Sequence, residues 1–204
     1  MKRKSLLLLG VIFGLLCGSG LAQEIPEGFR LYKVKQGDVL GKIAPREQWD
    51  LIKRVNRIDE YHLIIGKKIL VPTDWAKAKR FLPILQFIEA SQTTAKAVHI
   101  FLDRQYFGAY EKGNLAFWGP ISSGMADYRT SKGSFKTLWK RRLYYSEKYE
   151  AEMPYAICYS NSGYFLHAQA LPGRPSSHGC VRLLDEDAKK LFEWIKKGDV
   201  VMVE

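Results

Sequence analysis

The sequence predicts a mainly β domain, a sandwich or barrel with one C-terminal helix, preceded by a small strand–helix–helix–strand unit. Three observations carry this. From Ala97 onward, short β-branched and aromatic runs recur between turn signals, at the spacing of a sandwich or barrel. Near the C-terminus the pattern changes to a helical period, with Ala188, Leu191, Phe192 and Ile195 on one face. Residues 30–72 read as strand, helix, helix, strand within about 43 residues, near the lower size limit for a core without staples.

In the small unit, Leu31, Lys33 and Lys35 alternate with Tyr32 and Val34 as a strand. Gln36-Gly37-Asp38 is a turn, and Asp38 is expected to N-cap the segment Val39–Ala44. Pro45 stops that helix. Trp49, Ile52, Lys53, Val55 and Asn56 read as a second short helix. Gly66 then turns the chain into the strand Lys67–Val71, closed by Pro72. Residues 73–95 are too apolar for a free linker (Trp75, Phe81, Leu82, Ile84, Leu85), and Pro83 interrupts any continuous helix. This connector is expected to pack against one of the two domains.

The larger domain, residues 96–204, begins with Val98, Ile100 and Leu102 alternating with His99, Phe101 and Asp103. Further strands are expected at Tyr106–Tyr110, Leu115–Trp118, Ser134–Trp139, Tyr155–Tyr159 and Tyr164–Ala168. Asp185 is expected to cap the helix, with Glu186 and Asp187 favouring its positive end. Lys196-Lys197-Gly198 ends the helix, and Asp199–Val203 is a final strand. The basic, aromatic stretch Lys140–Tyr149 reads equally as a lid or as a solvated loop.

Residues 1–22 are set apart from the fold. Lys2, Arg3 and Lys4 precede an apolar run from Leu6 to Leu16, and Leu21-Ala22 offers a small-residue cleavage point. That is the pattern of a secretory signal peptide. Gly10 and Gly14 break the run, which falls short of the roughly 18 apolar residues that a membrane span prefers. Leu16 before Cys17 argues against a lipoprotein. About 180 residues remain, room for one ordinary domain or two small ones. With three of the 32 Lys and Arg removed against 21 Asp and Glu, the net charge falls from +11 to +8. A basic excess suits an anionic partner such as cell wall, and export argues against nucleic acid.

Only Cys158 and Cys180 remain after the leader. Cys158, in Tyr155-Ala-Ile-Cys-Tyr, reads as a small buried hydrophobe. Cys180 sits in a polar, Gly-bearing turn beside a histidine, so the two do not suggest a structural pair. A free thiol kept outside the cell calls for a chemical reason. The stretch from His167 to Arg182, ending Ser177-His178-Gly179-Cys180-Val-Arg182, supplies one. A thiol ionises near 8.5 unless neighbours lower it, and two histidines and Arg182 are at hand to do so. Gly179 lets the backbone approach a substrate closely. Successive amides at Gly179 and Cys180 are expected to bind a developing oxyanion, worth about 3–4 kcal/mol per donor. A zinc site from His167, His178 and Cys180 lacks the usual metal-ligand spacings. His62 and His99 read as structural.

Two resemblances follow from these residues. Tyr32-Lys-Val-Lys-Gln-Gly-Asp38, Leu40, Ile43-Ala44, Asn56 and Leu63-x-x-Gly66-x-x-Ile69-Leu-Val-Pro72 resemble a LysM module, with Pro45 a departure that shortens its first helix. That likeness implies a peptidoglycan- or chitin-binding βααβ domain, with glycan against Gly37, Asp38, Val39, Leu63 and Ile64. Ser177-His-Gly-Cys-Val-Arg182 with upstream His167 resembles the L,D-transpeptidase (YkuD-type) catalytic domain. Thr130-Ser-Lys-Gly133-Ser-Phe135, Met153-Pro-Tyr155 and Asp185-x-Asp187-Ala188 also fit it, with Ser131 and Ala168 as departures. The likeness implies an L,D-transpeptidase-like β-sandwich or barrel, needing no cofactor or metal. Cys180 would be the nucleophile and His167 its base, oriented by a backbone carbonyl near Ala168. Ser177, His178, Gly179 and Arg182 would support the site. Peptidoglycan stem tetrapeptides would be the donors and the location the periplasm or cell wall. A hydrolase on the same scaffold, as L,D-carboxypeptidase or amidase, and an inert wall-binding protein are the alternatives. A papain-like protease would need a different cysteine context.

Overall fold

The structure is a computed structural model that describes residues 25–204. The signal-peptide reading and Cys17 lie outside the described residues. The N-terminal unit contains β1 (Phe29–Lys33), α1 (Leu40–Ile43), α2 (Trp49–Asn56) and β2 (Lys68–Pro72), with β1 and β2 antiparallel. Its core is Val34, Leu40, Ile52, Ile69 and Val71. The Asn56 side chain pins α2 to β2: its Nδ2 donates to the Ile52 and Leu70 carbonyls, and its Oδ1 accepts the Leu70 N–H. Asp38 does not cap α1. Val39 holds the cap position, while the Asp38 carboxylate accepts from Tyr32 Oη (2.9 Å) and the Lys35 N–H (2.7 Å), closing the preceding turn. Pro45 leaves α1 only four residues long.

Residues 73–95 hold the short helix α3 (Trp75–Ala78), whose Asp74 caps it by accepting the Lys77 N–H. They pack against both units. Phe81 lies between Phe29 (5.8 Å) and Trp118 (6.0 Å), and Ile84 joins Tyr106 and Tyr110.

The larger domain contains β3 (Lys96–Phe101), β4 (Tyr106–Glu111), β5 (Asn114–Ser122), β6 (Gly133–Lys136), β7 (Trp139–Ser146), β8 (Ala151–Cys158), β9 (Phe165–Ala168), β10 (Val181–Leu183), α4 (Asp185–Trp194) and β11 (Val200–Val203). The nine strands make one curled sheet in the order β6-β11-β3-β4-β5-β10-β9-β8-β7. Its two halves face one another, so that Val98, Ile100 and Phe107 share a core with Ile157, Leu166 and Leu183; Ala188 and Leu191 of α4 complete it. The expected strand Ser134–Trp139 is two strands. Between them the Thr137 N–H donates to Asp199 and the Leu138 N–H to Cys158, as the chain crosses from one half to the other. Asp185 is the first helical residue rather than the cap, which is Leu184.

The two units are docked through α2. The guanidinium of Arg54 forks onto the Asp187 carboxylate (2.8 and 3.1 Å) and donates to the Trp118 carbonyl (2.8 Å). Asp187 is almost wholly buried, against the backbone of Gly119, which leaves room only because it has no side chain. Lys53 pairs with Glu186 at 2.7 Å beside it. Burial pushes the Asp187 carboxyl up to about 6 against the pull of Arg54.

Arg54→Ala is expected to cost about 3–5 kcal/mol, because it strands a buried carboxylate. Between the ordinary 3.8 and about 6, native Asp187 holds a proton that the unfolded chain has released, so this group lowers stability as pH rises. Without Arg54 that window extends to neutral pH. Urea midpoints should therefore show a larger deficit for Arg54→Ala at about pH 8 than at about pH 5. An equal deficit at both would mean the pair is not charged in the fold.

Candidate active site

The site is built on a parallel strand pair. β9 and β10 run side by side in the same direction, with Leu166 opposite Val181 and His167 opposite Arg182. A parallel pair cannot be closed by a tight turn and needs a crossover of about a dozen residues. Here residues 169–180 make it, and Cys180 ends it, one step before the Val181–Leu166 pair. With a period of two along strands, His167, Arg182 and Cys180 fall on one face.

The turn before β10 is fixed internally. Ser177 Oγ donates to the Cys180 carbonyl and accepts the Gly179 N–H at 3.1 Å. Thr130 Oγ1 donates to the Gly179 carbonyl (2.9 Å) and accepts the Gly124 N–H (2.9 Å), which ties in the Thr-x-x-Gly segment. Gly179 has φ +110°, and a Cβ there would lie 2.7 Å from the Tyr164 ring, so no other residue fits. The Gly179 amide is therefore engaged by Ser177 in this arrangement.

His167 is buried on β9, with Nδ1 3.0 Å from the Ala168 carbonyl. A carbonyl only accepts, so Nδ1 carries the proton and Nε2 keeps its lone pair. Burial, with Arg182 adding to it, pushes the imidazole down to about 4. Burial also raises the Cys180 thiol; a backbone hydrogen bond at Phe165 and the Arg182 charge pull it back only in part. Burial thus works against charge on either group. Among the described residues no hydrogen bond joins the thiol to His167. Such contacts are often loose without substrate.

His178 is held by aromatic rings instead. It is stacked on Tyr149 (5.1 Å, 19° between planes) and met edge-on by Tyr128 (4.6 Å), an aromatic clamp that the sequence did not announce. Arg182 Nη1 donates to Ser176 Oγ (3.0 Å), its Nε has no partner, and no carboxylate pairs with it among the described residues.

Two cavities meet at Cys180. The larger, about 860 Å³, is lined by Trp139, Tyr144, Tyr149, Met153, His178 and Cys180 among others, with Arg129 and Lys148 at its wall. The smaller, about 230 Å³, holds His167, Ser177 and Arg182, and Tyr149, Met153, His178 and Cys180 border both. The stretch Lys140–Tyr149 is no solvated loop: it forms β7 of the β7–β8 hairpin and the turn after it, which covers the larger cavity. Ser131 Oγ contacts Tyr164 Oη at 3.3 Å, and Ala168 is buried.

Of the residues to which the LysM likeness assigns glycan, Val39 and Ile64 are exposed. The two loops are brought together by the bonds of Val34 to Gly66 and Lys67. Gly37 has φ +77° and its carbonyl accepts from Lys42 (2.9 Å), and Leu63 packs partly on the small core. His99 is buried between Ser91 (2.8 Å) and Glu204 (2.9 Å), and His62 bonds Asp59 (2.6 Å). Both are structural, as expected. No cluster of metal-ligating side chains occurs among the described residues.

Solved structures place this architecture among the L,D-transpeptidases. One from Stackebrandtia nassauensis is 33% identical, with a TM-score of 0.53, over 62% of this chain and 62% of that one. Residues 123–326 of one from Xylanimonas cellulosilytica share the fold with a TM-score of 0.58, at 24% identity over 76% and 78%. One from Mycobacterium tuberculosis H37Rv is 25% identical, with a TM-score of 0.50, over 54% and 57%. Residues 95–203 match the L,D-transpeptidase catalytic domain, YkuD, and residues 32–72 the LysM domain. The chain belongs to the L,D-transpeptidase (YkuD) family and carries an N-terminal LysM domain. It spans about three-fifths of the length of the solved structures it matches first. No curated protein matches it.

The resting protonation of His167 and Cys180 can be read directly. In imidazole proton NMR of the free protein, His167 should titrate near 4, while its ordinary value is 6.5. Alkylation of Cys180 by iodoacetamide should keep accelerating above the pH at which a free thiol is half ionised. A His167 midpoint above 6 with early Cys180 alkylation would instead mean a preformed ion pair.

Proposed function

We propose that this chain is an exported L,D-transpeptidase that crosslinks peptidoglycan through a Cys180 acyl-enzyme, with His167 as general base. The observation that carries the reading is the shared cavity of Cys180 and His167, with His167 Nδ1 committed to the Ala168 carbonyl and Nε2 left free. In the donor step Nε2 takes the thiol proton, and sulfur attacks the carbonyl of the third stem residue. The Cys180 amide faces the developing oxyanion. His167 then protonates the departing amine, and terminal D-alanine leaves behind a thioester. An acceptor amine attacks that thioester, His167 takes its proton, and a new amide forms as Cys180 is released. An imidazole already neutral at physiological pH is ready for the first of these transfers.

The cavities on the two sides of Cys180 suit a donor and an acceptor, and the unpaired Arg182 suits an anionic stem peptide. Exposed Val39 and Ile64 suit a sugar ring on the LysM domain. The basic chain and its leader-like N-terminus support a site of action in the periplasm or cell wall. Among the described residues no helix is long and apolar enough to cross a membrane.

His167→Ala should cut the rate of acylation by a β-lactam roughly 10²–10⁴-fold, the range for losing a positioned base. His178→Ala should act through the aromatic clamp, on stability or donor affinity. Stopped-flow acylation across pH separates them; a neutral-pH loss confined to His178→Ala would reverse the assignment. Mass spectrometry of products from purified tetrapeptide muropeptides should show crosslinked dimers, absent with Cys180→Ala. Tripeptides alone would make the protein an L,D-carboxypeptidase.

Ile64→Asp and Val39→Asp should each reduce co-sedimentation with sacculi while leaving turnover of small soluble donors unchanged. Wild-type sedimentation by the double variant would place glycan binding elsewhere.

A further inference from the structure

The segment that joins His167 to Cys180 is held from two sides. On the side nearer Cys180, the sheet does the work: the Ser176 and Ser177 amides donate to the Ser123 carbonyl (2.9 and 3.0 Å), and Ser122 Oγ donates to the Arg174 carbonyl (2.7 Å). On the side nearer His167, the Gln169 N–H donates to the Leu183 carbonyl of β10 (3.1 Å), and beyond it the partner is the LysM domain. The Leu171 N–H donates to Asp59 Oδ2 at 2.8 Å, and the Asp59 N–H donates back to the Leu171 carbonyl at 3.0 Å. Ile58 and Pro172 make an antiparallel bridge, and Ile58 and Leu171 are wholly buried against solvent. Gly173, at φ +75°, lies so close that a Cβ would sit 3.0 Å from Ile58 Cγ2 and 3.3 Å from the Asn56 carbonyl.

Asp59 is itself organised to make this contact. Its Oδ1 accepts the Tyr61 N–H (2.9 Å) and meets His62 Nδ1 (2.6 Å), which leaves Oδ2 for Leu171. One backbone bond, one side-chain bond and the neighbouring Ile58–Pro172 bridge join the two domains at this point. A tether would not need them. Nor would a wall-binding module be expected to bond the segment that links the base to the nucleophile.

We infer that the LysM domain is part of the catalytic unit, with Asp59 a positioning residue that fixes the crossover between His167 and Cys180. This rests on the reading of those two residues given above. A shift of about 1 Å at a reacting pair can cost on the order of a hundredfold in rate, so a crossover freed at Leu171 has room to matter. Loosening it also exposes Cys180, and the two consequences run in opposite directions: acylation that needs the aligned base slows, while simple alkylation of the thiol becomes easier.

The test uses the full chain, with imipenem acylation and iodoacetamide alkylation of Cys180 followed by mass across pH. Asp59→Ala should slow acylation roughly ten- to hundredfold and move the alkylation profile to lower pH. Asp59→Asn keeps one oxygen for the Leu171 N–H but presents an amide to the Tyr61 N–H, and should fall between wild type and Asp59→Ala. Lys53→Ala removes the ion pair to Glu186 at another point of the same interface and should change both rates by no more than about twofold. Wild-type behaviour of Asp59→Ala in both assays, or equal slowing by Lys53→Ala, overturns the inference. If Asp59→Ala does not fold, wild-type hydrogen exchange decides. In rising urea, protection of residues 169–180 should be lost together with that of 57–62, and opening of 169–180 alone overturns it. A wild-type protein alkylated at Cys180 but never acylated by imipenem would sink the functional reading, while alkylation and exchange still decide this one.

Discussion

The structure depends on the parallel pairing of β9 and β10. An antiparallel pair there could have been joined by a two-residue turn, and His167 and Cys180 would have had no intervening chain to shape. Parallel pairing demands a long crossover, and residues 169–180 supply it. The same constraint sets the buried face: His167 and Arg182 are direct neighbours in register, and Cys180 stands at the entry to β10. The crossover cannot lie on the sheet alone. It is satisfied by Ser122 and Ser123 on one side and by Asp59 and Ile58 on the other.

Burial then sets the electrostatics. The environment that holds His167 and Cys180 rigid also disfavours charge on either, pushing imidazole down and thiol up. Arg182 is the nearby charge, and it favours the thiolate while disfavouring the imidazolium. The two groups are thus both pushed toward their uncharged forms by the same enclosure. The hairpin of β7 and β8 shapes that enclosure, since Tyr144 stacks on Phe165 and Tyr149 on His178.

The sequence announced what is local. Asn56, Gly37 and the β1 alternation reported the small unit, and the Ser-His-Gly-Cys turn reported the crossover's end. Thr130 and Gly133 were visible only through their likeness to a family segment, yet the Thr130 bond to Gly179 has a plain physical role. Other features were not legible. β10 has three residues, too short to show a period, and is defined by its neighbours. Lys140–Tyr149 could be read equally as a lid or a solvated loop because its charged and aromatic residues come in clusters with no period of two. The Gly179 amide looked free because its acceptor is the side chain of Ser177, two residues earlier. Asp38 and Asp185 were assigned caps by residue type, whereas each carboxylate position is decided by the turn it closes or the helix it begins.

The docking of the two domains was the least legible feature, and the reason is physical. Arg54 and Asp187 are 133 positions apart, and each alone reads as an ordinary surface charge on an amphipathic helix. A buried ion pair of this kind is weak evidence for stability, since apolar residues of similar volume would often serve as well. What it supplies is a unique alignment. The guanidinium fork must meet both carboxylate oxygens while also reaching the Trp118 carbonyl, and Asp187 must stand against a residue without a side chain at Gly119. Those conditions hold at one relative placement of α2 and α4. The apolar contacts of Phe81 with Phe29 and Trp118 tolerate sliding, whereas the fork does not. Because the Asp59–Leu171 bonds lie just beyond the same helix, the placement that satisfies Arg54 also brings Asp59 opposite the crossover. The pair set deepest in the interface thereby fixes the register of the contact nearest the thiol.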